Sequence, residues 1–296
     1  MIARLRVAGL TLAVRSARPL PGLRQPPRLG PFTPTRGADI AVRVVEKAPP
    51  VPSPGSKLFD SGGLWSVYRH GRDRLYLFRE PLPGRAPYKA LLIDDDLRQG
   101  TLFLPRAPQS GKTGYALAFP LDELVFQHRL AREGGFEIHA CAARLGGGVA
   151  FFCGVSGAGK TTLAQVLHRA GAKVLSDDRV AVRPRGGRLL AHGTPWHGSG
   201  RFASPEGGPL RAVFLLKKAA HSEATRVTEG AAARIFARTF PPLWDARGVA
   251  SVLAACGQVA LTVPVFELRF RKDRSAFRAI EEALLRTSLT VASACG

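Results

Sequence analysis

The stretch Val149-Ala-Phe-Phe-Cys-Gly-Val-Ser-Gly-Ala-Gly-Lys-Thr161 decides the fold of this chain. Its apolar start, residues 149–153, has the length and composition of a buried strand. The glycine-rich part, residues 154–161, fits the pattern G-x-x-x-x-G-K-[ST] at every position. Apolar residues then recur at helical spacing up to residue 170. A strand, a glycine-rich loop and a helix in this order predict an α/β domain.

The glycine-rich loop has the residue types needed to hold a nucleoside triphosphate. Its glycines allow backbone N–H groups to turn toward one anion at a helix N-terminus. Lys160 would neutralise the β- and γ-phosphates, and the Thr161 hydroxyl would bind Mg²⁺. The expected nucleotide-binding residues are Gly154, Ser156, Gly157, Ala158, Gly159, Lys160, Thr161 and Thr162. The N-K-x-D string of GTPases and the L-S-G-G-Q string of transporter ATPases are both absent, which weighs against a GTPase and against a transporter ATPase.

Two aspartates follow the next short strand of the pattern. Asp177 and Asp178 come directly after residues 173–176, and Asp177 lies 17 positions after Lys160. Next to such a loop, a carboxylate at a strand end can bind the metal, and a second carboxylate can accept a hydroxyl proton. The alternative is an exposed Asp-Asp turn before Arg179.

The remaining pattern divides the chain between residues 120 and 121. Residues 1–120 predict a small, antiparallel, β-rich unit with a Pro- and Arg-rich start, and residues 121–296 predict the α/β domain with the loop. Strands are expected in the first part as a hairpin over 5–14 and at 40–45, 64–69, 74–79, 88–93 and 100–104. In the second part, strands are expected at 136–143, 149–153, 173–175, 212–216 and 265–270, and helices at 121–132, 161–170, 229–238 and 275–285.

Residues 136–183 resemble the kinase domain of the HPr kinase/phosphorylase family, which belongs to the phosphoenolpyruvate-carboxykinase-like superfamily. The matching parts are Ile138-His139-Ala140, the apolar strand, the glycine-rich loop, Gly171, and Val174-Leu-Ser-Asp-Asp-Arg-Val180. Two further strings are similar to those of an HPr-kinase-like group, some of whose members are associated with peptide maturation. These are Gly193-Thr-Pro-Trp-His-Gly198 and Trp65-Ser-Val-Tyr68.

The resemblance implies a P-loop kinase domain that uses ATP and Mg²⁺. It implies that Asp177 is the catalytic base, that Asp178 binds the metal together with Thr161, and that His139 is an active-site histidine. The roles of the two aspartates could be reversed. The glycine-rich string near the C-terminus of HPr kinases is absent, which argues against HPr as the acceptor. HPr kinases form oligomers, which leaves a homo-oligomer open for this chain.

The sequence therefore predicts transfer of the γ-phosphoryl group to a hydroxyl, with a serine of a peptide or protein as the acceptor. Two alternatives stay open. One is a kinase for a small molecule related to free serine, and the other is a nucleotide-dependent binding module with a basic N-terminal arm.

The chain is strongly basic, with 43 Lys and Arg against 22 Asp and Glu among 296 residues, a formal charge of +21. The charge is spread along the chain with no basic helix or aromatic-basic cluster, so nucleic acid is not the expected partner. Residues 1–38, which hold seven Arg and no acid, are the one concentrated excess.

The cysteines and the apolar runs indicate the cellular compartment in which the protein is expected. The four cysteines show neither a C-x-x-C pair nor metal-ligand spacing, which fits a reducing cytoplasm. The apolar runs are far shorter than the roughly 20 residues that span a bilayer, so no membrane insertion is expected.

Overall fold

The computed structural model describes residues 1–80, 86–105 and 115–294. The chain folds into two compact units. The first comprises Met1–Arg129 and Pro242–Ala246, and the second comprises Leu130–Pro241 and Arg247–Gly296.

The first unit is built on one eight-stranded sheet. Its strands are β1 (Ile2–Val7), β2 (Leu10–Arg15), β3 (Ile40–Val45), β4 (Lys57–Asp60), β5 (Trp65–His70), β6 (Asp73–Phe78), β7 (Lys89–Ile93) and β8 (Gln99–Phe103). Their order in the sheet is β1-β2-β3-β8-β7-β6-β5-β4. Most neighbours are antiparallel, but β2 pairs in parallel with β3, and β3 pairs in parallel with β8. Strands β5 to β8 form the expected antiparallel unit, whereas the parallel pairs of β3 and the eight-stranded size of the sheet were not expected.

The proline-rich segment between β2 and β3 explains the parallel pairing. It forms two short 3-10 helices, Pro21–Leu23 and Pro27–Phe32. Parallel neighbours need a long connection that returns the chain to the same end of the sheet, and this segment provides one. By contrast, β1 and β2 meet in the predicted hairpin, which turns at Ala8 and Gly9 with positive φ of 51° and 77°.

Helix α1 (Leu121–Arg132) has the bounds that its sequence predicts. Residues 121–131 are buried on every side, not only on the expected face. His128 is fully buried, and its Nδ1 accepts the indole N–H of Trp244 at 3.3 Å. Because an indole nitrogen can only donate, the other ring nitrogen, Nε2, carries the proton that it shares with Asp245 at 2.8 Å.

The second unit has a mixed sheet with helices packed on both faces. Its strands are β9 (Phe136–Leu145), β10 (Gly148–Cys153), β11 (Lys173–Ser176), β12 (Arg179–Arg185), β13 (Arg188–Gly193), β14 (Gly207–Lys218), β15 (Glu223–Arg226) and β16 (Val265–Phe270). Its helices are α2 (Lys160–Arg169), α3 (Ala231–Phe236), α4 (Ala246–Thr262) and α5 (Ser275–Ala294). The expected α/β class is confirmed at this level.

The sheet order is β10-β9-β12-β13-β14-β16-β15, with β11 paired to β9. Strand β10 lies antiparallel to β9 and parallel to β14. Alternate side chains of β10 enter two cores: Phe151 packs in the cluster that includes residues of α3 and α4, and Phe152 packs in the cluster that includes residues of α2 and α5. This fixes the end of β10, and the loop after it, within a rigid framework.

Three elements near the site were not predicted. Strands β12 and β13 form a hairpin next to β9. Helix α4 was missed because its many alanines blur the apolar periodicity, although alanine favours helix, and because it contains two glycines. Helix α3 is shorter than the expected 229–238.

Candidate functional site

The loop between β10 and α2 has the backbone geometry of an anion cradle. Gly157 and Gly159 have positive φ of 75° and 100°, and Gly159 is the N-cap of α2. A Cβ at Gly154 would lie 2.7 Å from Cβ of Ala158, so the loop closes tightly at its start. Nothing lies within 4 Å of a Cβ built at Gly157. The loop is thus both tightly turned and open at its tip, as an anion-binding nest requires.

Lys160 is the first residue of α2 and is buried. Its ammonium donates to the carbonyl of Gly154 at 2.9 Å and to that of Val155 at 3.2 Å. Burial lowers the pKa of Lys160, and the nearby Asp178 charge opposes that shift. Carbonyl groups of the loop itself therefore hold the Lys160 ammonium, and its charge interacts with that of Asp178.

The other expected loop residues differ in exposure. Ser156 is exposed, Ala158 is buried, and Thr161 and Thr162 are half-buried on the first turn of α2.

Asp177 lies directly after β11 and is only 1% exposed. Its Oδ1 accepts the backbone N–H of Gly198 at 3.0 Å, and its Oδ2 accepts that of Gly200 at 2.7 Å. The carboxylate is thus occupied in holding a loop.

Asp178 is more open, with 29% of its side chain exposed. Its Oδ1 lies 2.9 Å from Nε2 of His139, and its Oδ2 lies 2.9 Å from Nη1 of Arg179. Burial alone would raise the pKa of Asp178, but the His139 hydrogen bond and the charges of Arg179 and Lys160 outweigh it and lower the pKa. Asp178 is therefore an ionised carboxylate bound to an imidazole.

Two residues that the sequence did not reveal hold Arg179 in place. The Arg179 guanidinium lies over the ring of Phe240, 4.2 Å from its centroid, and its Nε is 3.3 Å from the buried Glu137. Phe240 is also 6.1 Å from the ring of His139. Glu137 lies two residues before His139 and so on the same face of β9, which is a weak signal in the sequence. Nothing in the sequence connects Phe240 with either residue.

The structure thus brings together most of the expected residues. Lys160, Asp178 and His139 form one group, and Asp177 lies beside it with its own loop partners. In residues 1–80, 86–105 and 115–294, no three or more His, Cys, Asp and Glu cluster in a way that could hold a metal by themselves. Over the same residues, no helix is long and apolar enough to cross a membrane.

Comparisons with known proteins add little. No family model matches the chain, and no curated protein matches it. Among solved structures, it is similar to the Hpr(Ser) kinase/phosphatase from Coxiella burnetii with 12% identity and a TM-score of 0.35, covering 53% of this chain and 93% of that one. A likeness this weak supports no conclusion about function.

Proposed function

We propose that this chain is a kinase that uses ATP and Mg²⁺ to transfer the γ-phosphoryl group to a hydroxyl of a peptide or protein, namely a serine. One observation carries the proposal. The lysine of the glycine-rich loop, Lys160, lies within electrostatic reach of Asp178, which is itself hydrogen-bonded to His139. In this proposal Lys160 would bind phosphate and the pair of Asp178 and His139 would accept the proton, which are two functions that phosphoryl transfer needs.

The loop fits a nucleotide in its backbone. The positive φ angles of Gly157 and Gly159 and the open space at Gly157 suit a nest for phosphate oxygens at the N-terminus of α2. The nucleotide-binding residues would be those of the loop, Gly154, Ser156, Gly157, Ala158, Gly159, Lys160, Thr161 and Thr162.

Mg²⁺ fits the oxygen donors available here. The Thr161 hydroxyl and a carboxylate of the aspartate pair are hard oxygen ligands, and phosphate oxygens would complete the coordination. The ion would neutralise charge on the β- and γ-phosphates. Asp178 is the carboxylate that the resemblance implies for this role. Asp177 is the alternative, because a Cβ at Gly200 would touch both Asp177 and Thr161.

For the proton, we favour the pair of His139 and Asp178 over Asp177, which leaves Asp177 as the carboxylate for the metal. Asp177 is buried and its two oxygens bind a loop, whereas Asp178 is partly exposed and bound to His139. The ionised Asp178 would orient the imidazole through Nε2, which leaves Nδ1 of His139 to take the proton. As the acceptor oxygen bonds to the γ-phosphorus, the bond from that phosphorus to the β-phosphate oxygen breaks and the proton moves to Nδ1.

The proposal also covers the family type, the domain division, the cellular location and the oligomeric state. The HPr-kinase-like type, a division of the chain into residues 1–120 and 121–296, cytoplasmic location and a homo-oligomer all rest on the sequence and its resemblance.

The test separates binding from transfer. Binding of MgATP is measured by calorimetry, and transfer is measured as label from γ-labelled ATP that enters the polypeptide or the metabolite fraction of a bacterial extract. We expect Lys160→Ala to abolish binding. We expect Asp178→Asn to keep binding and to reduce transfer by about 10²- to 10⁴-fold, because His139, the proposed base, loses the carboxylate that orients it.

His139→Gln is the variant that tests whether His139 accepts the proton. Glutamine can still donate to Asp178 but has no nitrogen that accepts a proton, so transfer should fall and its pH–rate profile should lose the acid limb. Label found only in the metabolite fraction would favour the small-molecule kinase. Absence of MgATP binding by the native protein would refute the proposal.

A further inference from the structure

Arg238 lies where β10 would continue if the chain did not turn into the glycine-rich loop. Cys153, the last residue of β10, pairs with Ala140 of β9. The residue before Ala140, His139, donates its backbone N–H to the carbonyl of Arg238 at 2.9 Å. Because the chain turns away from the sheet at Gly154, Arg238 occupies the position beside His139 that the next residue of β10 would have taken. A cationic residue therefore borders both the loop and the candidate catalytic histidine.

The Arg238 guanidinium is poorly compensated. Its Nη1 donates to the carbonyl of Arg234. Its Nε is buried and has no hydrogen-bond partner, and it forms no ion pair with a carboxylate in the described residues. The side chain is half-buried with its Nε shut off from water, and a cation in such a place without a counter-charge is unfavourable until an anion pairs with it.

The charge of Arg238 acts on the beginning of the loop. Burial raises the pKa of the Cys153 thiol to about 12, and the Arg238 and Lys160 charges oppose that rise. Two cations from distant parts of the sequence thus act on the residue that precedes Gly154. An anion bound at the loop would interact with both.

We propose that Arg238 is a phosphate-binding residue whose ligand is the terminal phosphate of a nucleoside triphosphate held by the loop. The inference rests on the proposed nucleotide binding and adds a residue to it. A guanidinium presents N–H groups in a planar fork that matches two phosphate oxygens, and Nε belongs to that fork. We assign Arg238 to the terminal phosphate because its carbonyl accepts the backbone N–H of His139, the residue proposed to take the proton of the acceptor.

In the reaction, Arg238 offsets the negative charge of the transferred group. Lys160 and Mg²⁺ would be shared with the β-phosphate, whereas Arg238 would act on the γ-phosphoryl oxygens alone. Its contribution is therefore largest in the transition state, when the γ-phosphoryl group separates from the β-phosphate.

The test uses Arg238→Met, which removes the charge and keeps much of the apolar stem. Without nucleotide, the variant should unfold at a temperature equal to or above that of the native protein, because a half-buried charge without a carboxylate partner has been removed. Calorimetry with MgATP and with MgADP should show an ATP affinity lower by about 10- to 100-fold and an ADP affinity nearly unchanged, as expected for the loss of charge-assisted hydrogen bonds to one phosphate.

Arg234→Met is the matched control. Arg234 lies on the same segment, but its guanidinium already has a carboxylate partner, Glu267, at 3.0 Å. This variant should keep the ratio of ATP to ADP affinity. Arg238→Lys serves if the methionine variant does not fold, since it keeps the charge without the fork and should weaken ATP binding less.

The outcomes are distinct. An unchanged ratio of ATP to ADP affinity in the folded Arg238 variants overturns the inference, and so does a lower unfolding temperature with that ratio preserved. If the native protein binds no nucleotide, the proposed function fails and pyrophosphate becomes the probe. A pyrophosphate-induced rise in unfolding temperature that Arg238→Met abolishes would then support the Arg238 site, and no rise in the native protein would overturn it.

Discussion

The carboxylate of Asp177 holds Gly200 so closely that neither Gly200 nor Gly198 has room for a side chain. A Cβ at Gly200 would lie 2.7 Å from Oδ2 of Asp177, and one at Gly198 would lie 2.9 Å from it. The same Cβ at Gly200 would lie 3.0 Å from Cγ2 of Thr161. Asp177 therefore holds the turn at 198–200 close to Thr161, the candidate metal ligand.

Asp177→Asn tests this clamp. The amide has the shape of the carboxylate, but its nitrogen cannot accept a hydrogen bond and would face a backbone N–H. The turn should open more often, and hydrogen exchange in the peptide that contains residues 198–200 should be about 10-fold faster, the effect of about 1.4 kcal/mol.

Asp178→Asn is the control, because Asp178 binds His139 and Arg179 instead of the turn. It should leave exchange in that peptide unchanged. Native exchange rates in Asp177→Asn would contradict the clamp. This measurement needs neither ATP nor an acceptor.

Gly159 and Gly171 give a matched pair of substitutions at the two ends of α2. Both have positive φ, 100° and 89°, so alanine strains the backbone at either site. A Cβ at Gly159 would also lie 2.9 Å from Cζ of the buried Phe270, whereas nothing lies within 4 Å of one at Gly171. We expect Gly171→Ala to cost about 1 kcal/mol of unfolding free energy and to keep MgATP binding.

Gly159→Ala should cost more stability and weaken MgATP binding by at least about 10-fold, because the strain and the Phe270 contact displace the N–H groups that would face the phosphates. Denaturant unfolding and calorimetry measure the two effects. Equal behaviour of the two variants would contradict the role of the loop geometry.

Local patterns predicted the parts of the site that are close in sequence. The order of strand, glycine loop and helix placed Lys160 at the start of α2, with an error of one residue at the helix boundary. The adjacent aspartates also looked alike in the sequence. Only the fold separates them, because the turn at 198–200 covers Asp177 and β9 brings His139 to Asp178.

Long-range pairing accounts for what was missed. Phe240 and Arg238 reach the site because the chain returns beside β9 after α3, where Thr239 bridges to Ile138. No local periodicity encodes such a bridge. The parallel pairing of β2 and β3 was missed for the same reason, since strand propensity does not specify a partner.

Lys89 offers a test in the first unit that is independent of any ligand. It is 3% exposed, donates to the carbonyls of Ala116 and Ala118 at 3.2 Å each, and lies 5.0 Å from the ring centroid of Phe78. Burial lowers the pKa of Lys89 from 10.5 to about 8, although the Asp122 charge opposes the shift.

The sign of the pH dependence follows from this lowered pKa. Below pH 8 the lysine is protonated in both the folded and the unfolded chain, so it gives no slope. Between pH 8 and 10.5 the unfolded chain still binds the proton that the folded chain has lost, so the free energy of unfolding rises with pH in this window. A shift of this size corresponds to about 3 kcal/mol across the window.

Lys89→Met should abolish that rise. The substitution leaves two carbonyls without their donor and lowers stability at every pH, so the readout is the slope of unfolding free energy against pH and not its level. Urea unfolding at several pH values from 7.5 to 10.5 gives the slope for each protein. The free energy of unfolding usually falls by about 1–3 kcal/mol per molar urea. The native curve should climb relative to the variant curve above pH 8, and parallel curves would show that Lys89 does not titrate in this window.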